Sequence, residues 1–181
     1  MQSSSASIEH HKRNVKFWDS EESQKLYTKK PQLDAGELAS IKAIQAYFCH
    51  QKPRVLDIGC GAGRTTYFLH RMGMDVIGID ISRNLLSRAK ERFPYIDFRI
   101  GNAMQLDFPD QEFDAVLFIA NGLDCLLPKE CREICLKEVH RVLKDDGLFL
   151  GSHHNLAAFP FAWHRMMRPW KLMFRAQNIF N

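Results

Sequence analysis

The chain has 181 residues, of which 45% are hydrophobic and 25% charged, with a formal charge of +4 at pH 7. That is enough for one domain with a real core, too little for two ordinary ones, and the balance of a soluble globular protein. The charge is too mild to argue for a nucleic-acid surface, and no apolar run approaches the roughly 20 residues a membrane span needs.

The first residues, Met1-Gln-Ser-Ser-Ser-Ala-Ser7, are polar and lack the apolar centre of a signal peptide, so a cytoplasmic location is expected. The five cysteines, Cys49, Cys60, Cys125, Cys131 and Cys135, include no CxxC pair and leave an odd one over. That fits reduced thiols. Cys131 and Cys135 are one helical turn apart with His140 beyond, but no second pair stands at ligand spacing. No metal site is expected.

Taken in order, residues 1–14 are Ser-rich, then His- and Lys-rich, without apolar period, and read as a disordered tail. Val15, Phe17 and Trp18, then Leu26 and Tyr27, suggest an amphipathic arm broken by the charged stretch Asp19 to Glu22. Asp34 is placed to cap a helix from Ala35 to His50, and Pro53 ends that segment. Val55 to Ile58 is a buried strand. The turn Gly59-Cys-Gly-Ala-Gly63 follows, then a helix from Arg64 to Arg71 that Gly73 terminates. Asp75 to Asp80 is a second buried strand. Ser82 caps a helix that runs to about Arg92, and Pro94 stops it.

Tyr95 to Ile100 alternates like a third strand, and Gly101 to Asp110 is turn-rich. Phe113 to Ala120 suits a central strand covered on both sides. Pro128 opens a helix from Lys129 to Leu143, Asp145-Asp-Gly147 signals a turn, and Leu148 to Ser152 is a fifth strand. This cadence calls for an α/β fold: a Rossmann-like three-layer sandwich, its sheet mostly parallel with helices on both faces and five recognisable strands.

In such a fold a ligand sits outside the carboxyl ends of the strands, where Gly59 to Gly63, Asp80, Asn102 and Ala120 converge. Glycines so spaced permit tight turns and close approach of a ligand to the main chain, and the next helix points free N–H groups over the turn. An acid at Asp80, closing the second strand, is placed to bond the hydroxyls of a ribose. The dinucleotide pattern GxGxxG would need glycine where Arg64 stands, and the turn lacks the lysine and hydroxyl residue of a P-loop.

Asp57-Ile-Gly-Cys-Gly-Ala-Gly63 resembles the D/E-x-G-x-G-x-G motif of class I S-adenosylmethionine-dependent methyltransferases. Gly78 to Ser82, Gly101 to Asp114 and Glu138 to Gly147 resemble that family's later motifs, in order and spacing, over residues 50–155. The resemblance implies S-adenosylmethionine as cofactor, with S-adenosylhomocysteine as product. It implies Gly59, Gly61 and Gly63 against the methionine portion, with Cys60 in the same turn. Asp80 would hold the ribose, Ile81 would pack on the adenine, and Asn102, Ala103 and Met104 would line the adenine edge. Ala120 and Asn121 would lie beside the cofactor. The family commonly has aspartate where Asn102 stands; the amide still offers a carbonyl oxygen to the adenine amino group. Asp57 is expected to organise the turn through backbone hydrogen bonds. Trp18 and Tyr27 are placed either to cover the cofactor or to anchor the arm.

The acceptor is expected to be a small molecule. No catalytic base is named by the resemblance. His153 and His154, just past the fifth strand, are the weak candidates, and the favoured reading is that one caps the strand end and the other is exposed to solvent. The family's sheet usually ends in a strand hairpin, yet residues 156–181 show no pair of alternating strands. This apolar, basic segment fits a lid, a partner-binding helix or, as favoured, the remainder of an insertion without its downstream hairpin. The last predicts an exposed sheet edge and association through the segment. Three organisational parts follow: a tail over 1–14, the domain with its helical arm over 15–155, and the segment 156–181. The rival to methyl transfer is a truncated homologue that binds the cofactor and acts through a partner; a nicotinamide-dependent reductase is disfavoured by Arg64.

Overall fold

A computed structural model of the chain describes residues 5–28, 32–49, 51–120, 122–153 and 170–175. Strands β1 (Arg54–Ile58), β2 (Asp75–Asp80), β3 (Asp97–Ile100), β4 (Phe113–Phe118), β5 (Leu143–His153) and β6 (Trp170–Arg175) form one sheet. Their order is β3-β2-β1-β4-β5-β6. The first five are parallel, and β6 runs antiparallel to β5. The chain steps outward from β1 in one direction to β2 and β3, then crosses back to β4. The carboxyl ends of β1 and β4 therefore flank the point where the order reverses, the natural place for a ligand crevice.

Two cores explain the layers. Val55, Val76, Ala115, Leu117 and Leu148 face α3 (Ala35–Tyr47), α4 (Arg64–Arg71) and α5 (Arg83–Arg92) through Ile41, Ile44, Leu69, Leu86 and Ala89. Their strand neighbours Leu56, Ile77, Val116 and Phe149 face α6 (Lys129–Val142) through Cys131, Cys135, Val139 and Val142. Strands covered on both faces are continuous apolar runs, which is why β1, β2 and β4 are legible in the sequence. The helix starts are legible too. Asp34 Oδ1 accepts from the Glu37 amide at 2.7 Å while Glu37 Oε2 accepts from the Asp34 amide at 2.7 Å, a complete capping box. Ser82 Oγ accepts from the Leu85 amide at 3.1 Å and starts α5.

Three expectations are corrected. The tail is helical from Ser5 onward: α1 (Ser5–Trp18) precedes α2 (Glu21–Thr28). α1 has no apolar period to announce it, because side-chain hydrogen bonds to distant main chain hold it rather than a buried stripe. The charged stretch that breaks the arm is a cap: Ser20 Oγ accepts from the Ser23 amide at 3.2 Å, and Glu21 and Glu22 occupy the first turn of α2.

The second correction concerns the end of the sheet. β6 pairs with β5 from Trp170–His153 to Arg175–Leu148, so β5 is not an edge. Trp170, Leu172 and Phe174 do alternate with Lys171 and Arg175; Met173 breaks the apolar-polar period and hides the strand. Third, Asp145-Asp-Gly147 does not separate α6 from a later strand. β5 begins at Leu143, opposite Phe113, and pairing resumes only at Leu148, opposite Ala115, so Lys144 to Gly147 bulge out of the ladder. Lys144 Nζ bonds Asp114 Oδ1 at 2.7 Å across that bulge.

Among the described residues, no helix is long and apolar enough to cross a membrane.

Candidate active site

The three glycines after β1 all adopt positive φ, +68° at Gly59, +55° at Gly61 and +79° at Gly63, but for different reasons. A side chain on Gly61 would meet nothing nearer than Leu85 Cδ1 at 4.0 Å; its Cα faces open space. On Gly59 a Cβ would lie 3.1 Å from Phe118 Cε2. On Gly63 it would lie 2.6 Å from Phe98 Cζ and 3.1 Å from Ala89 Cβ. Gly63 thus serves the contact of α4 with β3 and α5. Contrary to expectation it does not line the cavity above the turn.

Asp80, 8% exposed at the end of β2, ties the turn to α5. Its Oδ2 accepts from the Gly61 amide and its Oδ1 from the Ser82 amide, both at 2.8 Å. Each oxygen keeps a further acceptor site. Burial raises the Asp80 pKa against the opposing effect of these amides. Asp57, 1% exposed within β1, accepts from Thr66 Oγ1 at 2.7 Å and also from the Thr66 backbone, and so pins the first turn of α4. Burial, with the nearby charges of Glu37 and Asp80, pushes it up to about 7. Glu37 reaches in from α3 and is ion-paired with Arg64 at the start of α4; Arg64 Nη1 also donates to the Gln32 carbonyl at 2.9 Å.

Above these groups opens a cavity of about 140 Å³. Of the residues predicted to bind cofactor, Asp57, Gly59, Cys60, Gly61, Asp80, Ile81, Asn102, Ala103, Met104 and Ala120 line it. Asn121 lies outside the described residues. Burial holds the Cys60 thiol well above its ordinary pKa, so it lines the wall as a neutral group. Asn102 Oδ1 accepts from the Met104 amide at 3.0 Å and shapes its own turn, with the second acceptor site of the oxygen left over. Ala120, just past β4, sits at φ +57°, a strained conformation for a residue with a Cβ.

The roof is the part that sequence reasoning missed. His10, His11, Asn14 and Trp18 of α1 line the cavity from above. His10 Nε2 lies 2.8 Å, and Asn14 Nδ2 2.6 Å, from the carbonyl oxygen of Cys125, the last residue of a short 3-10 helix, Gly122–Cys125. At the other end of α1, Asp19 Oδ1 accepts from Ser82 Oγ at 2.6 Å and from the Asn84 amide at 3.2 Å. One signal was present: His10, Asn14 and Trp18 are spaced i, i+4, i+8, one face of a helix. Trp18 lies on the cavity; the side chain of Tyr27 is outside the described residues. His153 ends β5 opposite Trp170 and does not line the cavity, and His154 lies outside the described residues.

Comparison with known proteins follows this geometry. Residues 55–147, from β1 to the bulge in β5, match the model of a methyltransferase domain. An uncharacterized methyltransferase of Synechocystis is 38% identical over 96 residues, covering 53% of this chain and 44% of that protein. A demethylmenaquinone methyltransferase of Renibacterium salmoninarum is 37% identical over 109 residues, covering 60% and 44%. Among solved structures, a SAM-dependent methyltransferase of Methanosarcina mazei superposes with a TM-score of 0.60 at 27% identity, covering 64% of this chain and 59% of that one. The chain spans about half the length of the curated relatives it matches. With the glycine turn, the strand-end acid and the sheet order in place over the matched residues, the chain belongs to the methyltransferase-domain family, of the class I, S-adenosylmethionine-dependent type.

Proposed function

We propose that this protein transfers a methyl group from S-adenosylmethionine to a small-molecule acceptor. The charge of the cavity carries the reading. Glu37, Asp57 and Asp80 line it, and Arg64, which also lines it, is already paired with Glu37. Repulsion among these carboxylates adds to the effect of burial in raising Asp57, so a cation entering the site relieves a cost the protein carries when empty. A dinucleotide would bring a diphosphate to the same carboxylates. When bound, S-adenosylmethionine supplies a cationic sulfonium whose methyl is electrophilic and whose leaving group is a neutral thioether.

The chain's own residues then have separable tasks. The open backbone at Gly61 admits the methionine portion, and the acceptor sites of Asp80 not used by the Gly61 and Ser82 amides bond the ribose hydroxyls. Ile81 and Met104 flank the adenine. Asn102 meets the adenine edge through the second acceptor site of Oδ1, the first being taken by the Met104 amide. α1 closes the site and excludes water, which leaves alignment of a nucleophile as the main catalytic need. The relative named for demethylmenaquinone supports a small acceptor.

Calorimetry separates this reading from its rivals. S-adenosylmethionine and S-adenosylhomocysteine are expected to bind, and NAD is not; NAD binding with no response to either sulfur compound ends the proposal. The second reading is cofactor binding without transfer. Binding with no label transferred from methyl-labelled cofactor to any component of a metabolite extract selects it.

A further inference from the structure

We propose that His10 is the base that takes the acceptor's proton, held in the required tautomer by the carbonyl of Cys125. The inference rests on the methyl-transfer reading and adds a residue that no motif of the chain contains.

The tautomer follows from hydrogen-bond accounting. His10 Nε2 lies 2.8 Å from the Cys125 carbonyl oxygen, which can only accept. Nε2 therefore carries the proton. The alternative has a bare Nε2 accepting from Asn14 Nδ2, 3.2 Å away, and sets two acceptors face to face at 2.8 Å. Asn14 Nδ2 instead donates to the second lone pair of the same carbonyl at 2.6 Å. With the neutral ring protonated at Nε2, Nδ1 is its basic nitrogen. The ring is half-buried and lines the same cavity as Gly61 and Asp80.

An imidazole whose N–H is fixed on an acceptor, on a residue that lines the cavity, has the arrangement of an oriented base. Taking a proton does not release the clamp. The Nε2–H bond to Cys125 becomes charge-assisted and strengthens, which stabilises the imidazolium as it forms. Asn14 is a positioning residue in this scheme, because it holds the carbonyl and α1 rather than touching the reacting atoms.

The chemistry selects the acceptor class. Phe118, Met104, Leu126 and Cys131 give the cavity an apolar wall. A base is needed only where the nucleophile must lose a proton, so the fitting acceptor is a hydroxyl or thiol on an apolar frame, such as a phenol. Its proton moves to His10 Nδ1, its electron pair forms the new bond to the methyl carbon, and the carbon–sulfur bond breaks with its pair left on the thioether. The imidazolium then returns the proton to solvent.

Two measurements test this. Long-range nitrogen–proton correlation spectra, with the His10 ring assigned by its disappearance in His10→Gln, read the tautomer without any acceptor. The Nε2–H pattern is expected, alone and with S-adenosylhomocysteine bound; an Nδ1–H pattern overturns the proposal. Methyl transfer to a panel of phenols and aryl thiols gives the second reading. His10→Gln is expected to lower kcat by about 10²–10⁴-fold with S-adenosylhomocysteine affinity unchanged, while His70→Gln, exposed on α4, changes nothing. An undiminished kcat in His10→Gln overturns it. Failure of the parent chain to bind S-adenosylhomocysteine strikes instead at the methyl-transfer reading beneath it.

Discussion

The floor of the cavity grows out of β1, β2 and β4, near whose ends Ile58, Ile79 and Phe118 are 3%, 2% and 5% exposed, so its geometry is inseparable from the two cores. The roof is α1, which leaves Ile8 and Phe17 at 48% and 59% exposure and is held by side-chain hydrogen bonds to Cys125 at its middle and through Asp19 at its end. Backbone amides of the glycine turn and buried strand ends form the floor. The roof is formed by replaceable side chains on a helix attached through hydrogen bonds. The comparison teaches that the two sides of the cavity are stabilised separately. The floor should unfold only with the domain, and the roof should open on its own.

The sharpest break of the floor is Gly63→Val. Its Cβ would enter at 2.6 Å from Phe98 with φ at +79°, and overpacking with backbone strain should cost about 3–5 kcal/mol. Thermal denaturation should show a Tm lower by roughly 10 °C. An unchanged Tm would mean that α4 does not pack as described.

Asp57 separates the regions by pH. Its folded pKa, about 7, lies above the ordinary 3.8, so the folded state holds the proton more tightly and stability falls as pH rises between those values. The full shift corresponds to at most roughly 4 kcal/mol. Asp57→Asn keeps an acceptor for Thr66 and removes the titration. Urea melts between pH 4 and 7 should lose that downward slope; the same slope in both proteins would assign it elsewhere. Binding a cation should also expel the Asp57 proton below pH 7, seen as buffer-dependent binding enthalpy in the parent and not in the variant.

Asp80→Ala removes two amide bonds and the ribose acceptor. Cofactor affinity should drop by about 1–3 kcal/mol, and calorimetry reads it directly. Equal affinity would take Asp80 out of the ribose role. The smallest effect belongs to the roof: Asn14→Ala loses one bond to Cys125, worth about 1 kcal/mol. Hydrogen exchange should speed up in α1 and stay unchanged in β1 and β2. Faster exchange in the sheet would erase the distinction between floor and roof.

Legibility in the sequence follows the same line. Asp34, Ser82, Gly73 and the strands β1, β2 and β4 were readable because caps, turns and doubly buried strands are local signals that tertiary contacts reinforce. The glycine turn and the acid closing β2 were readable because glycine at positive φ and an acid at a strand end have few other uses. α1 was not readable, since its stability comes from hydrogen bonds spanning more than 100 residues, such as Asn14 to Cys125. β6 was obscured by Met173 within its alternation. The part of Gly63 was misassigned because spacing shows that a glycine is required and never shows what lies against it.

By itself, then, the sequence determined the order of elements from α3 to β5, the sheet's mostly parallel character and a glycine turn facing an acid, all consequences of short-range propensity and burial pattern. Only the tertiary structure decided that Glu37 and Arg64 meet beneath that turn, that Gly61 alone of the three glycines presents open backbone to the cavity, and that His10 Nε2 lies within hydrogen-bond reach of the Cys125 carbonyl. Those outcomes depend on which distant groups are brought within hydrogen-bond reach. No local pattern encodes that distance; folding the sheet creates it.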